Sequence, residues 1–424
     1  MQSVGCGLYM SYRPTLTSIQ TAGKLLRSVF EPTPLQFSKE LSIKYGARIY
    51  LKREDLTPVR SYKIRGSFVK MHSLVTDLGA ESVVTCSAGN HAQGVAFGCD
   101  WFKIRGDIFM PKITTAQKIR RVKQLGGDSV RIFLEGDTFD ECSQYAHHHA
   151  SETTAPFLHP FDDEKVIEGQ GTVAKEILEQ SKGRVDVVLL PVGGGGLAAG
   201  VSSYFRICSP FTRIIGTGPH GAPAMYRSLE AGSIVTLDTI QTFVDGASVK
   251  RVGSRNFPII SENIAKMLQI DEGQVCTKIL EMYNDFGLIL EPAGVLSLCG
   301  LDVLSTEEVK GKTIVVVLSG GNSDVFRMPE IFHRSLAYEG RKHFFRIQFR
   351  QTSGALKEFV QTVLGPTDDI IYFRYTKRIN RETGPVILGI ETENKEDRFR
   401  ILEAMHKHSI VYETLHADTD LDIF

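Results

Sequence analysis

A chain of 424 residues is longer than one hydrophobic core ordinarily organises, and it predicts two or three domains. Hydrophobic residues make up 42% and charged residues 23% of it, the balance of a soluble globular protein rather than of a disordered or membrane chain. Lys plus Arg and Asp plus Glu both number 49, so no net field recruits nucleic acid or anionic lipid, and a small-molecule partner is expected.

The start, MQSVGCGLYMSYRP, lacks a basic segment followed by an apolar run, and Gln2 stands where myristoylation requires glycine, so no secretory or lipid signal is read there. Pro14, Pro32 and Pro34 bracket a predicted N-terminal helix. From about Ile49 to Gly320, the apolar runs ARIYL, SVVTCS, GDIFMP, DSVRIFL, VDVVLLPV, TRIIGT and KTIVVVLSGG alternate with helical stretches. Several runs are continuous rather than alternating, as strands covered on both faces are, which predicts an open α/β architecture on parallel sheet. The intervening helices are predicted at Thr115–Leu125, Thr138–Ser151, Gly169–Gln180 and Glu272–Phe286. Beyond Arg327-Met328-Pro329-Glu330, strands at His343–Phe349, Ile370–Tyr375, Pro385–Glu391 and Ile410–Leu415 interleave with helices near Gly354–Leu364 and Lys395–His408. That order, β-α-β-β-α-β, predicts a separate ferredoxin-like domain. The expected division is 1–338, with a smaller subdomain inserted at about 60–160, and 339–424. Cysteines at 6, 86, 99, 142, 208, 276 and 299 form no C-x-x-C pair, which points to a reduced, cytoplasmic setting. No stretch of about 18 apolar residues is present to span a bilayer.

Four segments bear on chemistry. Ser61-Tyr62-Lys63-Ile64-Arg65-Gly66 follows a strand; a lysine that forms an imine needs a partly desolvated pocket and a nearby cation to lower its pKa, a part Arg65 could play, although a lysine at a helix start is ordinarily solvated. Ser87-Ala88-Gly89-Asn90-His91 follows the buried run SVVTC and opens a helix, offering backbone N–H groups to a carboxylate; an ordinary helix cap reads the same way. Gly193-Gly194-Gly195-Gly196-Leu197 follows the strand Asp186–Val192. Four glycines in a row are entropically costly unless N–H groups must wrap a phosphate at a helix start. A dinucleotide site is the rival, but the next strand, Arg213–Thr217, ends in Gly218-Pro219-His220 without the acid that holds a ribose. Ser319-Gly320-Gly321-Asn322 ends the strand Thr313–Leu318, where a hydroxyl could face a heterocyclic nitrogen or cap a turn. His147-His148-His149 point in different directions on a helix, so no metal site is expected. The basic run Lys118–Lys123 reads as a solvated helix face.

Together, in this order and each near a strand end, these segments resemble the fold-type II pyridoxal-phosphate enzymes. Within that group SYKIRG, SAGNHAQGVA, PVGGGGLAAG, EPAG at Glu291–Gly294 and SGGN resemble the threonine dehydratases, and the likeness continues through DTFDEC, FVDGASVKRVG, GALKEF and LGPTDDI over nearly the whole chain. The resemblance implies a tryptophan synthase β-like fold of two subdomains with a C-terminal ACT-like domain. It makes Lys63 the lysine that carries pyridoxal 5'-phosphate and then takes the α-proton. Asn90 becomes the partner of the phenolic oxygen, Gly193, Gly194, Gly195, Gly196 and Leu197 the phosphate cradle, and Ser319 the partner of the ring nitrogen. Ser87, Ala88, Gly89, Asn90 and His91 become the seat of the substrate carboxylate. The implied reaction converts L-threonine to 2-oxobutanoate and ammonia, the committed step of isoleucine biosynthesis, with isoleucine, and valine as its antagonist, acting as effectors on a homo-oligomer, tetramer or dimer. A serine-preferring dehydratase or racemase of the same fold, or a non-catalytic amino-acid sensor, are the alternatives. One departure stands out: Gly218 occupies a position where relatives commonly carry an acid.

Overall fold

The computed structural model describes residues 12–375 and 382–415; the reading of the first eleven residues, with Cys6, lies outside them. The chain divides into two compact units, Met1–Glu272 with Met282–Asp324, and Gly273–Glu281 with Val325–Phe424. The strands of the first unit are β1 (Leu35–Ser38), β2 (Arg48–Arg53), β3 (Ser82–Cys86), β4 (Arg105–Met110), β5 (Val130–Leu134), β6 (Val187–Pro191), β7 (Arg213–Pro219), β8 (Lys266–Ile270) and β9 (Thr313–Leu318).

A six-stranded sheet runs in the order β1-β2-β9-β6-β7-β8. Every residue of β6 and β9 is buried, as expected for a strand with helices over both faces. Because successive side chains alternate, Val188, Leu190, Val315 and Val317 enter one core with Val173 and Ile177 of helix Glu164–Gln180 and Ala198 and Val201 of helix Gly196–Cys208. Helix Pro292–Val303 packs against β6, β7 and β9. The parallel pattern predicted from sequence holds from β2 to β8, but the sheet is not wholly parallel. At its edge β1 lies antiparallel to β2, with Leu35 opposite Lys52. Four residues long and mostly exposed, β1 carries none of the continuous apolar signal that marks the central strands.

A second, parallel sheet, β3-β4-β5, has its own small cores. On one side Ala92 and Ala96 of helix Asn90–Phe102 and Val122 of helix Ala116–Gly126 meet Ile108 and Met110. On the other, Cys142, Ala146 and Ala150 of helix Phe139–Thr153 meet Val84, Cys86 and Phe109. That last helix separates the three histidines as expected: His147 stacks on Phe157, His148 pairs with Glu152, and His149 bonds Asp107 at 2.8 Å. The basic run is less idle than its pattern suggests, since Lys118 pairs with Asp245 at 2.5 Å; outside the run, Lys250 pairs with Asp140 at 2.8 Å. These two bridges tie the helices of the small sheet to the segment after helix Ala224–Ala231. Helix Glu164–Gln180 begins before the predicted Gly169, because the Asp163 carboxylate accepts from Lys165 N and Val166 N and caps it there.

The second unit carries β10 (Lys342–Arg350), β11 (Asp369–Tyr375), β12 (Thr383–Glu391) and β13 (Tyr412–Leu415), ordered β11-β12-β10-β13 with every pairing antiparallel. Helices Ala355–Val363 and Asp397–Lys407 supply Phe359, Val363, Ile401 and Met405 to a core with Phe345, Ile347, Val386 and Leu388. This is the split βαβ unit predicted from the tail. Among the described residues no helix is long and apolar enough to cross a membrane.

Candidate active site

Lys63 is the first residue of helix Lys63–Leu78. The segment before it is held to the end of β9: Ser61 bridges Gly320, Tyr62 N donates to Ser319 O at 3.1 Å, and Gly321 N donates to Arg60 O at 2.9 Å. Lys63 Nζ donates to Pro160 O at 3.0 Å and lies 5.4 Å from the Tyr62 ring centre and 5.9 Å from that of Phe161. Removal of the ammonium from water brings its pKa down to about 8, against the opposing pull of the Glu291 carboxylate. This is the poise a nucleophilic amine needs near neutral pH.

Arg65, which could have supplied the nearby cation, does not do so. Arg65 is fully buried and points away into a sealed cluster. It pairs with Glu54 at 2.7 and 2.8 Å and with Glu176 at 2.7 and 2.8 Å, and it reaches Thr172 and Thr33. Lys52 completes the cluster on Glu176 at 2.6 Å. Two cations face two carboxylates, so Arg65 has no unmatched charge to spend on Lys63; desolvation lowers the lysine instead.

Asn90 starts helix Asn90–Phe102, and Gly89 precedes it without a side-chain cap. The Gly89 N–H goes to Ser87 Oγ at 3.2 Å, while the N–H groups of Asn90, His91 and Ala92 have no intrahelical acceptor, the first such bond being Gln93 N to Gly89 O. Ser87 and Ala88 form the approach to this turn. His91 does not turn its ring to it: Nε2 bonds Leu158 O at 3.1 Å, and burial, reinforced by Lys63, pushes its pKa down to about 3, so the ring is neutral.

The glycine run turns from β6 into helix Gly196–Cys208. Gly195 has φ +98°, a left-handed conformation that a side chain rarely adopts, and a Cβ there would come 2.7 Å from Ile260 Cδ1. The Gly194 carbonyl is pinned by Asn256 Nδ2 at 2.9 Å and Gly253 N at 3.0 Å. Among the described residues no acceptor takes the N–H groups of Gly194, Gly195, Gly196 or Leu197, which leaves an open nest for an anion. Phe161 joins this nest to the lysine: its ring packs on Gly194 and also lies beside Lys63 Nζ. Ser319 stands at the end of β9, its Oγ donating to Ala293 O at 3.2 Å. Gly218 and Gly216 both face Met267, whose Cε and Sδ lie 2.8 and 2.7 Å from where a Cβ would stand. A thioether fills the space at the strand end where the resemblance led one to expect an acid.

A desolvated primary amine and a nest of N–H groups, both against the Phe161 ring, fit an aldehyde carrying a phosphate, and pyridoxal phosphate has that pair of groups. Lys63 and the glycine run meet at the Phe161 ring, the segment before Lys63 bonds Ser319, and Asn90 reaches Glu291 beside Gly320. Four contributors were not assigned from sequence: Pro160 and Phe161 at Lys63, Asn256 at the glycine run, and Glu291, whose carboxylate accepts from Asn90 Nδ2 at 2.6 Å. Only Glu291 left a trace, as an acid directly before the proline that opens a helix.

The fold and the cleft define an α/β enzyme that works through pyridoxal phosphate, and the family model for pyridoxal-phosphate dependent enzymes matches residues 26–320. The model for the C-terminal regulatory domain of threonine dehydratase matches residues 333–424. Biosynthetic L-threonine dehydratases of Halalkalibacterium halodurans and Bacillus subtilis are each 45% identical to this chain, over 96% of it and 98% of the former, and over 95% of it and 95% of the latter. The chain belongs to the biosynthetic threonine dehydratase family. Among solved structures, the processed form of threonine deaminase isoform 2 from Solanum lycopersicum is 34% identical, with a TM-score of 0.70 over 76% of this chain and 90% of that one. Maize serine racemase is 27% identical, with a TM-score of 0.70 over 77% of this chain and 99% of that one.

Proposed function

We propose that this chain converts L-threonine to 2-oxobutanoate and ammonia in the cleft at Lys63, as the committed step toward isoleucine. The observation that carries the reading is that the desolvated Lys63 amine and the N–H nest of the glycine run lie against the same Phe161 ring. Residues 1–338 are read as the catalytic domain with its smaller subdomain at about 60–160, and 339–424 as the effector domain. Bound in the cleft, pyridoxal phosphate supplies the electron sink that makes an amino acid's α-proton acidic. Lys63 Nζ would hold the cofactor's aldehyde carbon and, as a desolvated amine with a lowered pKa, would serve as the base for the substrate's α-proton. Gly193 through Leu197 would hold the phosphate by backbone N–H groups, Asn90 would hold the phenolic oxygen, and the Ser319 hydroxyl, which donates to Ala293 O, would hold the ring nitrogen. The Ser87–His91 turn seats the carboxylate through its N–H groups. One water is lost in the elimination and one taken up in the hydrolysis that frees ammonia. Lys63→Ala should abolish both cofactor absorbance in the visible and oxobutanoate formation; full turnover by that variant would sink the assignment.

The similarity to maize serine racemase supports a second reading, serine as the preferred substrate. A pocket discriminates one methyl group by about 1–3 kcal/mol, so a kcat/KM ratio for threonine over serine well above unity selects the first reading and a ratio below unity the second.

Control by isoleucine, with valine as antagonist, is supported by the regulatory-domain match and by a cavity of about 360 Å3 within the second unit, lined by Glu330, His333, Lys342, Phe344, Ile371 and Tyr372. A carboxylate, an ammonium and apolar rings around one small space suit a free amino acid. A cytoplasmic homo-oligomer, tetramer or dimer, completes the proposal.

A further inference from the structure

An asparagine side chain has two faces, and a buried one serves as donor or acceptor according to which way its amide is turned. At Asn90 the direction is dictated from outside. Val59 O is a backbone carbonyl and accepts only. Asn322 Nδ2 donates one hydrogen to it at 2.8 Å and the other to Asn90 Oδ1 at 2.8 Å. Asn90 is thereby obliged to present Nδ2 on its other side, where Glu291 Oε1 accepts at 2.6 Å. Turning the Asn90 amide over would set its oxygen against a carboxylate and its N–H groups against those of Asn322. Turning Asn322 over would forfeit the bond to Val59. The relay uses both Asn322 hydrogens, the Asn90 oxygen and one of the two Asn90 hydrogens. One Asn90 N–H is left over.

We infer that Glu291 and Asn322 are positioning residues that fix Asn90 as a hydrogen-bond donor toward the phenolic oxygen of the bound cofactor. The inference rests on the role proposed above for Asn90. Glu291 is well placed to hold the far end. It is buried, and its Oε1 lies 2.3 Å from where a Cβ on Gly320 would stand, so Gly320 leaves room for this carboxylate and for nothing larger than hydrogen on its own side. The groups facing Glu291 are the Asn90 amide, the Asn322 backbone N–H, the Lys118 ammonium and the Asp245 carboxylate, with Lys63 and the Tyr62 phenol within its field. Burial, with Asp245, pushes the carboxyl up to about 7, so the acceptor end of the relay is itself sensitive to its surroundings. A donor held on a phenolic oxygen stabilises its anion, and losing the donor raises the pH at which the lysine-linked cofactor changes its visible absorbance.

The test is a spectrophotometric pH titration of the resting holoenzyme, free of substrate, for the wild type, Asn90→Ala, Glu291→Ala, Asn322→Ala and the double variant Asn90→Ala/Glu291→Ala. Alanine is used at 291 because glutamine would keep an oxygen able to accept from Asn90. Each single variant should raise the absorbance midpoint by about one pH unit, a tenfold change. The double variant should move no further than Asn90→Ala alone, because Glu291 acts through Asn90. A shift with Asn90→Ala but none with Glu291→Ala overturns the inference and leaves the Asn90 role standing. No shift with Asn90→Ala overturns both. Shifts that add in the double variant also overturn it, because they mean that Glu291 reaches the cofactor by another route. Should Glu291→Ala fail to fold, Asn322→Ala paired with Asn90→Ala closes the same cycle from the other end of the relay, with the same readings.

Discussion

Lys63 is shaped by what surrounds it rather than by the residue two places along. Burial brings its amine down to about 8 from 10.5, against the pull of Glu291, with Tyr62, Phe161 and the Pro160 carbonyl standing around Nζ in place of water. The reactive form is the neutral amine, so its fraction falls tenfold for each pH unit below the pKa. Uptake of pyridoxal phosphate by the apoprotein, followed by visible absorbance, should therefore climb with pH and level off above about 8. A rate still climbing toward 10.5 would mean a solvated lysine. His91, neutral down to about 3, should add no limb to that profile between pH 5 and 8.

The element that carries Lys63, helix Lys63–Leu78, is anchored two residues further in by Arg65. Breaking a buried ion cluster by neutralising one member costs about 3–5 kcal/mol, whereas an exposed pair is worth about 0–1. Glu176→Gln should lower the denaturation free energy of the apoprotein by the larger amount and Arg27→Ala, whose partner Glu179 is 3.4 Å away at the surface, by no more than the smaller. Burial alone would raise the Glu176 carboxyl, but Arg65 and Lys52 hold it at about 2. Its contribution is thus complete above its unfolded value near 4.5 and fades as pH falls toward 2. At the glycine run, Gly195→Ala forces a side chain into a left-handed turn and against Ile260. The displaced N–H groups should weaken cofactor binding about tenfold, near 1.4 kcal/mol, measured by titration of the apoprotein.

At the scale of the whole molecule, the layered sheet and the tail domain were legible because their signals are local. Continuous apolar strands, a run of glycines and period-matched helices each declare themselves within about ten residues. What sequence reading missed is long-range. Asn90 and Glu291 meet across 201 positions, and Arg65 and Glu176 across 111. Before folding, a charged residue on a helix reads as solvated, so the sealed Arg65 cluster looked like an available cation. The antiparallel β1 was missed for the opposite reason, since its short, exposed strand carries no pattern. For the proposed effector domain, saturating isoleucine should shift the threonine saturation curve of the intact chain. Lys342→Met should weaken that response about tenfold, near 1.4 kcal/mol of coupling, with turnover in the absence of isoleucine unchanged. An unaltered threonine curve at saturating isoleucine would remove the effector reading.

The Arg65 cluster also governs how such a chain can be recombined. Its members come from the loop before β1, from β2 and the turn after it, from helix Lys63–Leu78 and from helix Glu164–Gln180. A chimera that imports the lysine-bearing helix from a relative, without the segments that answer its arginine, inherits an unmatched charge in a dry interior. The transferable cassette is accordingly not the SYKIRG hexapeptide but a discontinuous set of four segments, and crossover points that keep Thr33, Lys52, Glu54, Arg65 and Glu176 from one parent should yield folded hybrids far more often than those that divide them.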